Sequence, residues 1–130
     1  MSREEAPPDV ESPADRLEAF ANPSPERGYR VRCETPELTC VCPFTGQPDF
    51  ATVVVDYLPA GFVVELKSLK MYLWGYRDTG ISHEAITNRI LDDLAALLSP
   101  QEMTVETRWL VRGGITTTVT ARHPSPDAGG

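Results

Sequence analysis

The order of sequence patterns predicts an α+β fold, an antiparallel sheet of about four strands with two helices on one face. Three observations carry that prediction. Two-residue alternation marks residues 29–34 and 103–112, and β-branched residues crowd residues 50–58. Between those strand patterns the apolar spacing becomes helical, first at Leu69, Leu73 and Tyr76, then at Ile86, Ile90, Leu94 and Leu97.

The elements follow in chain order. Residues 1–28 hold five prolines and seven acids against three arginines, and residues 1–16 read as a disordered, acidic, Pro-rich tail that can build no core. Residues 17–122 form the single domain, and residues 123–130 read as a flexible C-terminal tail. Leu17, Phe20 and Asn22-Pro23 suit an arm that packs before the first strand. Tyr29, Val31 and Cys33 then alternate with Arg30, Arg32 and Glu34, a half-buried strand. Pro36, Pro43, Gly46 and Pro48 mark residues 35–49 as a loop. Residues 50–58 form a strand, and Pro59-Ala60-Gly61 turns it into a hairpin with residues 62–65. The helical period begins at Ser68 and is limited by Gly75 and Gly80. Ser82 is an N-cap for the longer helix, which Ser99-Pro100 ends. Residues 103–112 alternate again, and Gly113-Gly114 turns the chain into a last strand, 115–121. Such a sheet has two open edges and one uncovered face, so an oligomer of identical copies is expected.

Composition narrows the function. The net charge is −7, of which the first 28 residues supply about four (seven acids less three bases); this argues against a protein that grips phosphate backbones along a whole face. No apolar run has the length of a membrane span or the character of a signal-peptide core. Three cysteines, an odd number, suit free thiols in a reducing cytoplasm.

The chemistry concentrates in a few runs. Cys42 stands in a loop at a strand entrance, followed by Pro43 and the turn Thr45-Gly46-Gln47-Pro48. A thiolate there is a nucleophile for electrophilic carbon, although a cysteine is as often a small buried apolar residue. Asp49, across the turn, is either a proton donor or a turn residue capping backbone N–H groups. Glu84 and His83 open the long helix, where a carboxylate is favoured by the helix dipole alone. Lys67 and Lys70 with Arg77 gather positive charge around Ser68, a pattern that suits phosphate as well as a solvated face. Arg112-Gly113-Gly114 is a hairpin tip or a second phosphate contact. Cys33 alternates within a strand and reads as structural, while Cys40 has no clear role. Cys33, Cys40, Cys42 and His83 lack the paired spacing of a zinc site. No G-x-G-x-x-G is present, so no Rossmann crevice is expected.

In order, CPFTGQPDFA, VELKSLKMYLWGYRD, SHEAI and VRGG closely resemble the motifs of the short, single-domain NADPH-dependent 7-cyano-7-deazaguanine reductases. The lead-in LEAFANPSPERGYRVRCETPELT extends the resemblance to about residues 17–121. The resemblance implies the tunnelling fold, with subunits closing into barrels and sites at subunit interfaces, typically as a decamer of two pentamers. It implies reduction of the nitrile of 7-cyano-7-deazaguanine to 7-aminomethyl-7-deazaguanine, an intermediate in making queuosine for tRNA, with NADPH and no metal. On the matching positions Cys42 forms a covalent thioimide and Asp49 is the general acid. Val64, Glu65, Leu66, His83 and Glu84 fall at the substrate positions, and Lys67, Ser68, Lys70, Arg112 and Gly113 at the NADPH positions. Cys40 and Val41 depart from the more usual small or apolar residues, and Leu66 stands where many members have serine. Three other readings compete: a zinc-dependent cyclohydrolase of the same fold, a non-catalytic purine- or pterin-binding ring protein, and a nitrile-hydrolysing thiol enzyme.

Overall fold

The computed structural model describes residues 13–125. A short 3-10 helix, Pro13–Arg16, leads into β1 (Ala19–Ala21). Then follow β2 (Val31–Val41), β3 (Pro48–Leu58), β4 (Phe62–Val64), α1 (Leu66–Trp74), α2 (His83–Leu98), β5 (Glu102–Arg112) and β6 (Ile115–His123). The four long strands make one antiparallel sheet in the order β2-β3-β5-β6, and β1 pairs with β4 in a second, two-stranded sheet. This is the expected α+β class with two helices. Both expected tails are shorter at their inner ends: residues 13–16 pack on α1, where Arg16 Nη1 donates to the Met71 carbonyl at 3.2 Å, and His123 closes β6. Residues 1–12 and 126–130 lie outside the described residues.

The expected loop over residues 35–49 is mostly strand. β2 runs on to Val41 and β3 begins at Pro48, leaving only a short turn at residues 42–47. Pro36 is tolerated because β2 is an edge strand and its register slips between Thr35 and Leu38, so the missing N–H breaks no interior ladder. The expected hairpin of residues 50–58 with 62–65 does not form. β3 has β2 on one edge and β5 on the other, both 11 residues long, and these offer far more ladder than three-residue β4. β4 instead pairs with β1, Ala19 opposite Val64. Helix α1 starts at Leu66, because Glu65 is its N-cap and accepts from the Lys67 and Ser68 amides. Those N–H groups hold the Glu65 carboxyl below the usual carboxylate range. Their contribution to stability is present at neutral pH and is lost as pH falls through that lowered value. Gly113 and Gly114, with φ of 60° and 82°, make the tight β5–β6 turn that the Gly-Gly pair demands.

The core lies between one sheet face and the helices. Val53, Val55 and Tyr57 of β3 meet Met103 and Val105 of β5, and Ile86, Ile90 and Leu94 of α2 cover them, all fully buried. The helices are also joined by a buried polar link. Tyr72 donates to Asp93 Oδ2 at 2.7 Å and its hydroxyl lies 2.8 Å from that of Tyr76. The opposite sheet face carries the charged side chains of the alternating strands. Arg30 meets Asp56 at 2.7 Å, and Arg32 lies 3.6 Å from the same carboxylate; Arg108 meets Glu106 at 2.5 Å. That face is therefore solvated by charge, and the case for association rests on the outer edges of β2 and β6.

Replacing Tyr72 with Phe removes the link without opening a cavity. Urea denaturation should show a loss of about 1–3 kcal/mol, as for other buried polar groups left unpaired. A variant as stable as the parent would show that the link adds nothing.

Candidate active site

The turn between β2 and β3 is closed by its own backbone. Cys42 N–H donates to the Gln47 carbonyl at 2.8 Å, and Gly46 N–H donates to the Cys42 carbonyl at 2.9 Å. Gly46 sits at φ 77°, where a side chain would be strained. Cys42 is half-buried at the lip of this turn. The Thr45 hydroxyl, then the Phe44 and Thr45 amides, hold its thiol below the ordinary cysteine value, and Arg112 adds a smaller push the same way. Hydrogen bonds to sulfur favour the thiolate, the form that attacks carbon.

The other two cysteines are opposite in character. Cys40 is fully buried with Sγ 3.6 Å from the Ile81 carbonyl. Burial, with the neighbouring Asp49 and Cys42 charges, pushes its thiol up to about 12. Burial also raises the Cys33 thiol. All three are free, and only Cys42 is in a setting that makes a nucleophile.

Asp49 lies directly opposite Cys40 in the β2–β3 ladder and is 7% exposed. One carboxylate oxygen is held by the Arg112 guanidinium, which also reaches the Pro48 carbonyl at 3.3 Å. The other faces His83 Nε2 at 3.2 Å. α2 delivers His83 to that place for a local reason. Residues 79–81 pair with the end of β2, Val41 N–H to the Thr79 carbonyl and Ile81 N–H to the Val41 carbonyl. Ser82 then caps the helix through the Ala85 amide at 3.1 Å, so His83 is its first residue. Its imidazole stacks on the Trp109 indole with centroids 3.9 Å apart and planes 6° from parallel. Glu84 is exposed, and its carboxylate makes no hydrogen bond or ion pair among the described residues.

The chain thus brings together Cys42, Asp49, His83 and Arg112, with Glu84 next to His83 in the first turn of α2. Arg112, expected at NADPH, here contacts Asp49. The second expected group, Val64 to Lys70, lies elsewhere. Val64 N–H donates to the Tyr57 hydroxyl at 3.0 Å, which puts the start of α1 toward the far end of β3 from Asp49. Strand rise separates the Asp49 and Tyr57 backbones by roughly 25 Å. Within that group Glu65 caps its own helix and Leu66 is exposed. The Ser68 hydroxyl is buried, donating to the Glu65 carbonyl at 2.7 Å and accepting from the Glu18 amide at 3.0 Å. Lys67 and Lys70 make no ion pair among the described residues, and Lys70 Nζ lies 4.8 Å over the Trp74 ring. Gly113 stands bare at the hairpin tip with nothing near its Cα. Among the described residues no three His, Cys, Asp or Glu side chains converge to hold a metal ion. Sequence reasoning did not single out Thr45 or Trp109. Thr45 read only as turn punctuation and Trp109 only as a core-facing strand residue.

A cysteine with a lowered thiol and a buried carboxylate share one end of an antiparallel sheet backed by two helices, and a chain of this fold and sequence is of the QueF-like class. The family model described as QueF-like protein matches residues 48–128. The chain is 56% identical over 117 residues to an NADPH-dependent 7-cyano-7-deazaguanine reductase of Anaeromyxobacter sp. (strain Fw109-5), covering 90% of this chain and 96% of that one. It is 57% identical over 111 residues to the enzyme of that name from Halorhodospira halophila, covering 85% and 94%. The relative from Acidithiobacillus ferrooxidans (strain ATCC 53993 / BNL-5-31) is 55% identical over 114 residues, covering 88% and 81%. Among solved structures, the apo form of an archaeosine synthase QueF-Like superposes with a TM-score of 0.68 at 28% identity, covering 72% of this chain and 91% of that one. The protein belongs to the NADPH-dependent 7-cyano-7-deazaguanine reductase family.

Thr45→Val should raise the thiol's ionisation point, since its largest favourable partner is lost. Iodoacetamide alkylation of Cys42, followed by mass against pH, should shift its half-maximal rate to higher pH. An unshifted curve would remove Thr45 from the site.

Proposed function

We propose that this protein reduces the nitrile of 7-cyano-7-deazaguanine to 7-aminomethyl-7-deazaguanine with NADPH, in the synthesis of queuosine for tRNA. The observation that carries the reading is the lowered thiol of Cys42 in the same site as the Asp49–His83 pair. The Cys42 thiolate adds to the nitrile carbon, forming the C–S bond as one C–N π bond breaks. Asp49 gives the proton that the nitrogen gains, which leaves a covalent thioimide. That neutralisation matters because a nitrile accepts hydride poorly and a protonated thioimide accepts it well. Nitrile to amine takes four electrons, and NADPH when bound supplies them as two hydrides. Between the two reductions the nitrogen lone pair re-forms C=N as the C–S bond breaks, so Cys42 departs as thiolate and an imine is left. Desolvated geometry around Asp49 makes its proton transfer directional.

Glu84 offers a free carboxylate one residue from His83, suited to accept two hydrogen bonds from the N–H and amine edge of a guanine-like ring. Val64, Glu65 and Leu66 complete the substrate side through their backbone and the Glu65 cap. Lys67, Lys70, Arg112 and Gly113 fit the anionic cofactor: neither lysine has a carboxylate partner among the described residues, and the glycine leaves the backbone open. Ser68 supports that segment by pinning it to β1. Arg112 has two demands on it. It grips Asp49 within the chain, and it is also one of the cations that suit the cofactor's phosphate.

The distance between the two halves of the site supports an assembly of identical copies. Among the described residues β6 has no strand on its outer edge, and the outer edge of β2 is met only at Val41, by residues 79–81. Phe44, Leu110, Val111 and Ile115 expose apolar surface toward the Cys42 end. A ring in which copies continue the sheet, as in the decamer of two pentamers that the family resemblance implies, would bring the α1 segment of one copy to Cys42 of another.

Intact mass after mixing with 7-cyano-7-deazaguanine should show an adduct without NADPH, absent in Cys42→Ala. NADPH should then be oxidised at two per substrate. Asp49→Asn should bind substrate yet turn over about 10²–10⁴-fold more slowly; a wild-type rate in either variant would overturn the mechanism. For the assembly, co-expressed Cys42→Ala and Lys67→Glu chains should regain activity that neither has alone. A stable monomer in sedimentation, or no regain, would sink the shared site.

A further inference from the structure

Thr107 breaks the apolar run Met103, Val105, Trp109 on the buried face of β5, and it is fully buried. Valine has the same shape and would pack there without a hydroxyl to satisfy. What the hydroxyl does is set by its neighbours. The Trp109 indole N–H donates to Thr107 Oγ1 at 2.8 Å. Thr107 and Thr87 hydroxyls are 2.7 Å apart, and Thr87 Oγ1 donates to the His83 carbonyl at 2.7 Å. An indole N–H can only donate and a carbonyl can only accept. Thr87 spends its one proton on His83, so the Thr107 proton must go to Thr87. The chain therefore has one direction, Trp109 to Thr107 to Thr87 to the His83 carbonyl, with every hydroxyl both donating and accepting.

The two ends of that chain are in contact through the rings. The Trp109 indole lies flat under the His83 imidazole at 3.9 Å. His83 is thus held twice, at its backbone by Thr87 and at its ring plane by Trp109, and each hold fixes the other. In that orientation Nε2 lies 3.2 Å from Asp49 Oδ2. We propose that Trp109, anchored by Thr107 and Thr87, is a positioning residue that sets the plane of His83 and through it the carboxylate of Asp49 for proton transfer. The proposal rests on the nitrile-reductase reading for its reaction, and on the stack and hydrogen-bond chain for its geometry.

Three variants separate the parts. Trp109→Leu removes the stack and the anchor, Trp109→Phe keeps the stack, and Thr107→Val breaks the chain at near-constant volume. The readouts are kcat, KM for NADPH, melting temperature and the rate at which diethyl pyrocarbonate modifies His83, mapped by mass. Trp109→Leu should lower kcat about 10–100-fold, the scale of a small misplacement at a reacting centre, with KM for NADPH within about twofold of the parent. Its His83 should be modified several-fold faster, and Trp109→Phe should recover most of both effects. Thr107→Val should fall between them in kcat, with its melting temperature lowered by the unpaired indole N–H but out of proportion to the change in kcat. A Trp109→Leu enzyme with kcat within twofold of the parent overturns the proposal, as does a loss of kcat that tracks melting temperature across all three. If the parent itself neither forms an adduct nor oxidises NADPH, the functional reading fails; unchanged His83 modification in Trp109→Leu refutes the geometry separately.

Discussion

A carboxylate buried to 7% exposure cannot stand alone in a protein interior, and much of this fold follows from supplying its partners. Asp49 sits at the start of β3, and its cation comes from the end of β5, 63 residues away. Its second partner comes from the first residue of α2. Meeting both requires the β3–β5 ladder to be in register, the Gly113-Gly114 turn to leave Arg112 free, and residues 79–81 to dock on β2. An unpaired charge there would cost several kcal/mol. The site and the sheet are therefore one construction: a slip in register would move Asp49 to the other face and lose both partners.

The same local field separates three chemically identical thiols. Cys40 and Cys42 are two residues apart, yet one faces the core and the other the turn. Burial and the Asp49 charge disfavour the Cys40 thiolate, while Thr45 and two turn amides favour that of Cys42. A nucleophile beside an inert neighbour needs no difference in residue type: residues two apart would share a strand face, but β2 ends at Val41 and the turn carries Cys42 out of the ladder, where amides and the Thr45 hydroxyl meet its sulfur.

The helices and strands divide structural from functional labour less cleanly than position suggests. Ser68 and Glu65 lie among residues expected to touch ligands, yet both are engaged in starting α1 and holding β1. Trp109 and Thr107 lie in the core, yet they reach the site through His83. The charged outer face of the sheet needs no cover, whereas β2 and β6 are its edge strands among the described residues.

Local patterns made the fold class, both helices, the Ser82 cap, the Ser99-Pro100 stop and the Gly113-Gly114 turn legible from the chain alone. These depend on neighbours a few residues apart, which set backbone preference directly. The motif runs carried the family, and with it the choice of Cys42 and Asp49. The strand character of residues 35–41 was hidden because Pro36 reads as a breaker until β2 is known to be an edge. The pairing of β4 with β1 was hidden because it depends on β5 claiming the edge of β3. Residue types and their order determined what chemistry this protein can do. Which groups meet was decided only by the tertiary structure: Arg112 on Asp49, Trp109 beneath His83, and the α1 segment far from Cys42. Those contacts join residues distant in the chain, and they arise from competition among strands for ladders and among buried polar groups for partners.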